Sequence, residues 1–197
     1  MAYLIDSHCH LHDREFFSEA QAEEMLDRAH KNNVKKIICI GTDHQDSLAA
    51  RDFASRHNNI FWTYGMHPES ARVADSVFFT DILRFSNPET YIPDGAEKAA
   101  RRADFPGRPA YDVEGEKVGP EKDMSAKTPA KLVAIGEVGL DYHYEGYNRK
   151  AQIKLFEQML QLATDLNLPV SFHVREAFDD FFAVVKNFPE TRGVVHS

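Results

Sequence analysis

His8 and His10 stand two residues apart, directly behind the apolar opening Tyr3-Leu4-Ile5. In a strand, residues two apart face the same side, about 7 Å from one another along the chain. Two such imidazoles could converge on one metal ion, with Cys9 facing the other way as a small core residue. Taken alone, the pair could equally be surface histidines after a buried strand. Three more stations have the same character: Glu137, His173 and His196 each follow a short apolar run. Histidine with carboxylate is a ligand set for divalent cations, suited to zinc or manganese, with magnesium favoured where oxygen ligands dominate. A glutamate among histidines could bridge two ions per site. Such a pair clamps a phosphate or carbonyl oxygen and lowers the pKa of bound water. Gly136 and Gly139 around Glu137 permit close backbone approach, which argues against a solvated loop carboxylate. Asp6 and Asp141 could orient ligand histidines through the second ring nitrogen. Arg175 could hold a phosphate bidentately, as could His67 when protonated; the alternative for Arg175 is an ordinary surface ion pair.

The elements that would position these groups are legible from hydrophobic pattern. Ser18 with Gln21 reads as a capping box, and Ala22, Met25, Leu26 and Ala29 give the helix it opens a buried face. Ile37-Ile38-Cys39-Ile40 is a continuous apolar run closed by Gly41-Thr42, as expected of a strand buried on both faces. A weaker helical pattern through Leu48, Ala49 and Phe53 leads to the strand Ile60-Phe61-Trp62-Thr63 and then Gly65-Met66-His67-Pro68. Leu132-Val133-Ala134-Ile135 is a strand before the Glu137 turn. A helix follows with Ile153, Phe156, Met159, Leu160, Ala163 and Leu166 on one face. Pro169 to Phe172 delivers His173-Val174-Arg175, and Phe178, Phe181, Phe182 and Val185 mark another helix. Gly193-Val194-Val195 delivers His196.

Strand and helix alternate six times, which means α/β and a parallel sheet with right-handed crossovers. Polar candidates follow five of the six strands, always at the C-terminal end. An open sheet gathers its ligand at one switch point. A barrel brings every strand end to one mouth, so a TIM-like (β/α)8 barrel is expected, with about six βα units present. Residues 87–131 break the pattern. Six of the nine prolines and four of the ten glycines fall there, so a surface insertion is expected in the single domain 1–197, a tolerated loop or a substrate-covering flap, with one helical turn near 96–103.

Composition narrows the setting. With 43% apolar and 27% charged residues the chain is globular in character, and it contains no apolar run long enough to span a bilayer. Cys9 and Cys39 have no framework spacing, which suits a reduced, cytoplasmic protein without membrane contact. A net charge of -8 argues against broad nucleic-acid coating but not against a nucleic-acid substrate held at a metal site.

The motifs Ile5-Asp6-Ser7-His8-Cys9-His10, Gly65-Met66-His67-Pro68, Gly136-Glu137-Val138-Gly139-Leu140-Asp141, His173-Val174-Arg175 and Val194-Val195-His196-Ser197 together resemble, in order, those of the TatD family of metal-dependent hydrolases. The resemblance implies a (β/α)8 barrel, many of whose members are deoxyribonucleases that trim single-stranded DNA ends. It implies that His8, His10, Glu137, His173 and His196 bind the metals, with Glu137 at the catalytic centre, and that His67 and Arg175 contact substrate phosphate. Three departures accompany it. His12 stands where the family has Asp or Asn, and the 87–131 segment exceeds the corresponding connection. The third is that the resemblance implies a further turn and two strands beyond Ser197, the last carrying an aspartate that completes the site. A truncated chain is therefore expected, its remaining strands absent or supplied by another chain, with little nuclease activity alone. Hydrolysis of another ester or amide, such as an aminoacyl ester on tRNA, and an inactive fragment acting as a binding module are the alternatives.

Overall fold

A computed structural model describes residues 3–72 and 131–196; the expected insertion at 87–131 lies, Lys131 apart, outside the described residues. Six strands form one sheet, in the order β1 (Leu4–Cys9), β2 (Val34–Cys39), β3 (Ile60–Tyr64), β4 (Leu132–Asp141), β5 (Val170–Arg175) and β6 (Gly193–His196), and every adjacent pair is parallel. Between them lie helices α1 (Glu19–Lys31), α2 (His44–Ser55), α3 (Arg149–Asp165) and α4 (Phe178–Val185). A doubly wound sheet would reverse its order at a switch point, and this order never reverses. In a flat sheet, strands five places apart would be separated by roughly 24 Å. Yet the rings of His8, in β1, and His196, in β6, lie 4.1 Å apart. The sheet therefore curls, as the wall of a TIM-like barrel does. Among the described residues no helix is long and apolar enough to cross a membrane.

Burial follows position in the sheet. Nearly all of β3, β4 and β5 is buried, whereas β1 and β6, the edge strands, expose Leu4, Ile5, Val194 and Val195. The Ser18–Gln21 capping box forms as expected.

Three sequence expectations change. Glu137 lies inside β4, not in a turn after it, because the strand runs on through the glycines to Asp141. Gly139, at φ 150, could not carry a side chain there, since a Cβ would overlap the His173 carbonyl oxygen. On α3 the buried set also includes Leu155, Leu162 and Gln152. Gln152 is buried for a polar reason: its Oε1 accepts from the Asp141 N–H at 2.9 Å and its Nε2 donates to the Asp141 carbonyl at 2.8 Å. On α4 only Phe181 and Val184 are buried, and Phe178 and Phe182 are exposed. Phe181 fixes the helix rotation by stacking on Phe156, 5.7 Å between centroids, and meeting Phe172 edge-on at 5.2 Å. Phe156 is fully buried at the centre of this cluster. Phe156→Ala is expected to cost about 3–5 kcal/mol, read as a lower urea midpoint at unchanged slope.

Candidate metal centre

The curled sheet directs the ends of β1, β3, β5 and β6 at one carboxylate, carried by the middle of β4. Glu137 is 5% exposed. Its Oε2 stands 3.4 Å from His8 Nε2 and 3.9 Å from His10 Nε2. Its Oε1 stands 2.8 Å from His173 Nδ1, 3.1 Å from His196 Nε2 and 3.7 Å from His67 Nε2. Register sets part of this, because β4 and β5 pair Gly139 with His173, and β5 and β6 pair His173 with His196. The backbone on the other side of Glu137 is held by the loop after β2, where Gly41 O accepts the Glu137 N–H at 2.7 Å. Gly65 keeps this approach open, since a Cβ there would overlap both of those atoms.

Among the described residues, two groups of three donors close enough to hold one ion share the carboxylate: His8, His10 and Glu137, and His67, Glu137 and His173. The chemistry of the donors fits a cation. His173 Nε2 lies 2.9 Å from Asp141 Oδ2, and because a carboxylate only accepts, that nitrogen is assigned the proton. Its buried Nδ1 then presents a lone pair towards Glu137 Oε1, yet no hydrogen bond of good geometry joins them. The buried Nε2 of His196 is in the same position beside the same oxygen. Lone pairs so close repel one another unless positive charge lies among them, as a proton or as a metal ion.

The ionisation states follow. Burial alone raises the Glu137 carboxyl, but the imidazoles of His173, His196 and His8 close against its oxygens outweigh it and hold the group far below the usual carboxylate range. Burial lowers His173, and its two carboxylate neighbours more than reverse this, leaving it above its ordinary value. Asp141 is raised by burial and lowered further by the His143 N–H and by His173. His10 and His67 are both pushed down, chiefly by burial, which favours the neutral imidazole a cation needs.

The structure thus gathers His8, His10, Glu137, His173 and His196 at one place, with Asp141 on the second nitrogen of His173. His67 joins the donor groups themselves. Asp6 does not orient an imidazole: its Oδ1 accepts from the His8 backbone N–H at 3.1 Å, so the expectation that it grips a ring is corrected. Such a short Asx-type bond, two residues along the chain, is a common local arrangement of aspartate. Arg175 sits at the rim, its guanidinium 5.2 Å over the Tyr144 ring and its Nη1 donating to the Tyr144 hydroxyl at 3.3 Å. A third donor group, His10, His12 and Asp46, was not foreseen from sequence. Its only signal was an imidazole at position 12, since nothing local pairs it with Asp46.

Comparison with known proteins places the chain. YJJV, a TatD homologue from Escherichia coli K12, superimposes with a TM-score of 0.70 at 26% identity over 98% of this chain and 60% of its own. A TatD-family hydrolase from Entamoeba histolytica gives a TM-score of 0.66 at 21% identity over 98% of this chain and 57% of its own, a likeness of fold. YabD of Bacillus subtilis, named an uncharacterized metal-dependent hydrolase, is 26% identical over 93% of this chain and 55% of its own. Deoxyribonuclease Tat-D of Schizosaccharomyces pombe is 30% identical over 89% of this chain and 47% of its own. The chain spans about half to three-fifths of the length of these relatives. The family model of TatD-related DNases matches residues 5–197, and the chain belongs to that family.

Proposed function

We propose that this chain carries the metal centre of a hydrolase that cleaves phosphodiester bonds, acting on single-stranded DNA ends as a 3′ exonuclease. The observation that supports this most is the buried Glu137 carboxylate with imidazoles on both of its oxygens, an arrangement suited to two divalent ions. His8, His10 and Glu137 would hold one, and Glu137 and His173, with His67 and His196 beside them, the other. Bound divalent ions supply charge for a phosphate oxygen and acidify water. The protein's own share is positional. Asp141 holds the His173 proton on Nε2 and so keeps Nδ1 free to coordinate. Glu137, ionised and buried, keeps its charge at the centre of the cluster. Arg175 stands at the rim, where a guanidinium can bind a phosphate by two parallel bonds. The names borne by relatives, metal-dependent hydrolase and deoxyribonuclease, agree with this reading. Cys9 and Cys39, both free, suit a reducing, cytoplasmic setting.

A substrate panel tests the proposal. The purified chain, supplied with Mn²⁺ or Zn²⁺, is offered a 3′-labelled DNA strand, its RNA equivalent and an aminoacyl ester. Release of mononucleotides from the DNA strand, stopped by chelator and restored by metal, is the expected outcome, at however low a rate. Hydrolysis of the aminoacyl ester alone would overturn the phosphodiester reading in favour of carbonyl chemistry at the same centre.

A further inference from the structure

His12 and Asp46 lie beside the Glu137 cluster without touching its carboxylate. His12 is 1% exposed. Its Nε2 stands 2.8 Å from Asp46 Oδ1, so that nitrogen carries the proton and donates. The other oxygen of Asp46 accepts twice from Thr42, from its N–H at 2.8 Å and its hydroxyl at 2.9 Å. The Asp46 N–H in turn donates to Oδ1 of Asp43, the residue that caps α2. Asp46 is therefore fixed at both ends: in the first turn of a helix, and against a buried imidazole.

What Asp46 holds is the short segment Gly41-Thr42, and both its carbonyls serve the metal centre. Gly41 O accepts the Glu137 N–H and Thr42 O accepts the His67 N–H, each at 2.7 Å. These two N–H groups belong to β4 and to the turn after β3, so one segment sets the relative placement of donors from two elements. We propose that His12 is a positioning residue: through Asp46 and Thr42 it fixes the backbone of Glu137 and His67, and with them the spacing of the donor set. A buried imidazole suits the task because it is rigid and places a single donor far from its own backbone. The competing use of the same residues, an ion held by His10, His12 and Asp46, is disfavoured by the bonding, since Asp46 already accepts three hydrogen bonds and the His12 proton occupies the facing oxygen.

The test needs no substrate, and its first readout needs no metal. His12→Phe keeps a buried ring and removes the donor, whereas His12→Gln retains an N–H of similar reach. Amide hydrogen exchange, measured by NMR on the metal-free chain, is expected to quicken about tenfold at Glu137 and His67 in the Phe variant. The Gln variant should stay near the parent, and amides of β5 such as Phe172 and Val174 should be unchanged in both. Asp46→Asn, which keeps the shape of the side chain, should repeat the local effect if the Phe variant folds poorly. Zn²⁺ affinity by competition with a chromophoric chelator is expected to fall by about tenfold in the Phe variant. Exchange that quickens evenly through the sheet, or not at all at Glu137 and His67, overturns the proposal. So does loss of one zinc equivalent with those amides undisturbed, which would make His12 a ligand. This second readout rests on the metal-centre reading. A parent chain that binds no metal, with the local exchange response intact, refutes that reading and leaves the role of His12 standing.

Discussion

Glu137→Gln is expected to abolish high-affinity binding at both metal positions at once. The substitution preserves size, so the imidazoles need not move to fill space. It replaces two acceptor oxygens by one oxygen and one amide, and an amide nitrogen with its two hydrogens does not bind a cation. The carboxylate now faces His8 and His10 with one oxygen and His173, His196 and His67 with the other. Whichever way the new amide turns, one group loses its oxygen donor and the other keeps only a neutral one. Changes around ligands typically cost 10–100-fold in metal affinity, so loss of a shared ligand should cost at least about 100-fold. Native mass spectrometry and isothermal titration with Zn²⁺ or Mn²⁺ measure this directly, and any metal-dependent hydrolysis should disappear with it. Retention of two tightly bound ions by the Gln variant would refute the shared-carboxylate arrangement.

The second large effect is on pH dependence, where metal-free stability and metal affinity should move in opposite directions. His173 sits above its ordinary value of 6.5 because the carboxylates of Glu137 and Asp141 outweigh the burial that lowers it. A raised folded value stabilises the protein fully below 6.5, and this contribution disappears as pH climbs through the folded value. Glu137 is the reverse: from an ordinary 4.5 it is held low by His173, His196 and His8, despite burial that raises it. Its contribution is present above 4.5 and disappears only as pH falls towards its depressed folded value. In the metal-free chain these two groups together stabilise most between those two ordinary values. His10 and His67, held low by burial, add stability as pH rises to 6.5. The cluster as a whole therefore stabilises most near 6.5 and less as pH climbs through the folded value of His173. Metal needs the same His173 nitrogen without a proton. Below the folded value of His173, affinity should fall about tenfold per pH unit for each proton displaced. Thermal unfolding from pH 6.5 to 8, with chelator and with saturating Zn²⁺, should give curves of opposite slope. Parallel curves would mean that His173 is not where metal and proton compete.

Strand positions were legible because a buried parallel strand needs a continuous apolar run, and Ile37 to Ile40, Ile60 to Thr63 and Leu132 to Ile135 supply them. The polar stations were legible because a barrel displays whatever follows those runs. Other features depend on tertiary packing. Gly136-Glu137-Val138-Gly139 reads as a turn in isolation, and only the close approach of the His173 backbone makes it strand. Phe182 fits the periodicity of α4 as well as Phe181 does; stacking on Phe156 chooses between them. Gln152 breaks an apolar pattern to bond the Asp141 backbone, and His12 finds Asp46 across a distance in sequence that no local signal spans.

The meeting of His8 with His196 has a consequence for how a metal ion would be acquired at the proposed centre. These rings touch across the curl of the sheet, although nearly the whole described sequence lies between them. Contacts of such long range form late, after the shorter βα units have closed. During synthesis His8 and His10 leave the ribosome before the other donors and would form an incomplete chelate until β4, β5 and β6 had emerged and docked. An ion captured early would be held by two imidazoles alone and readily lost to other ligands. Firm retention of an ion at the proposed centre would then require the docking of β4, β5 and β6 against β1, so that metal uptake would report the curling of the sheet.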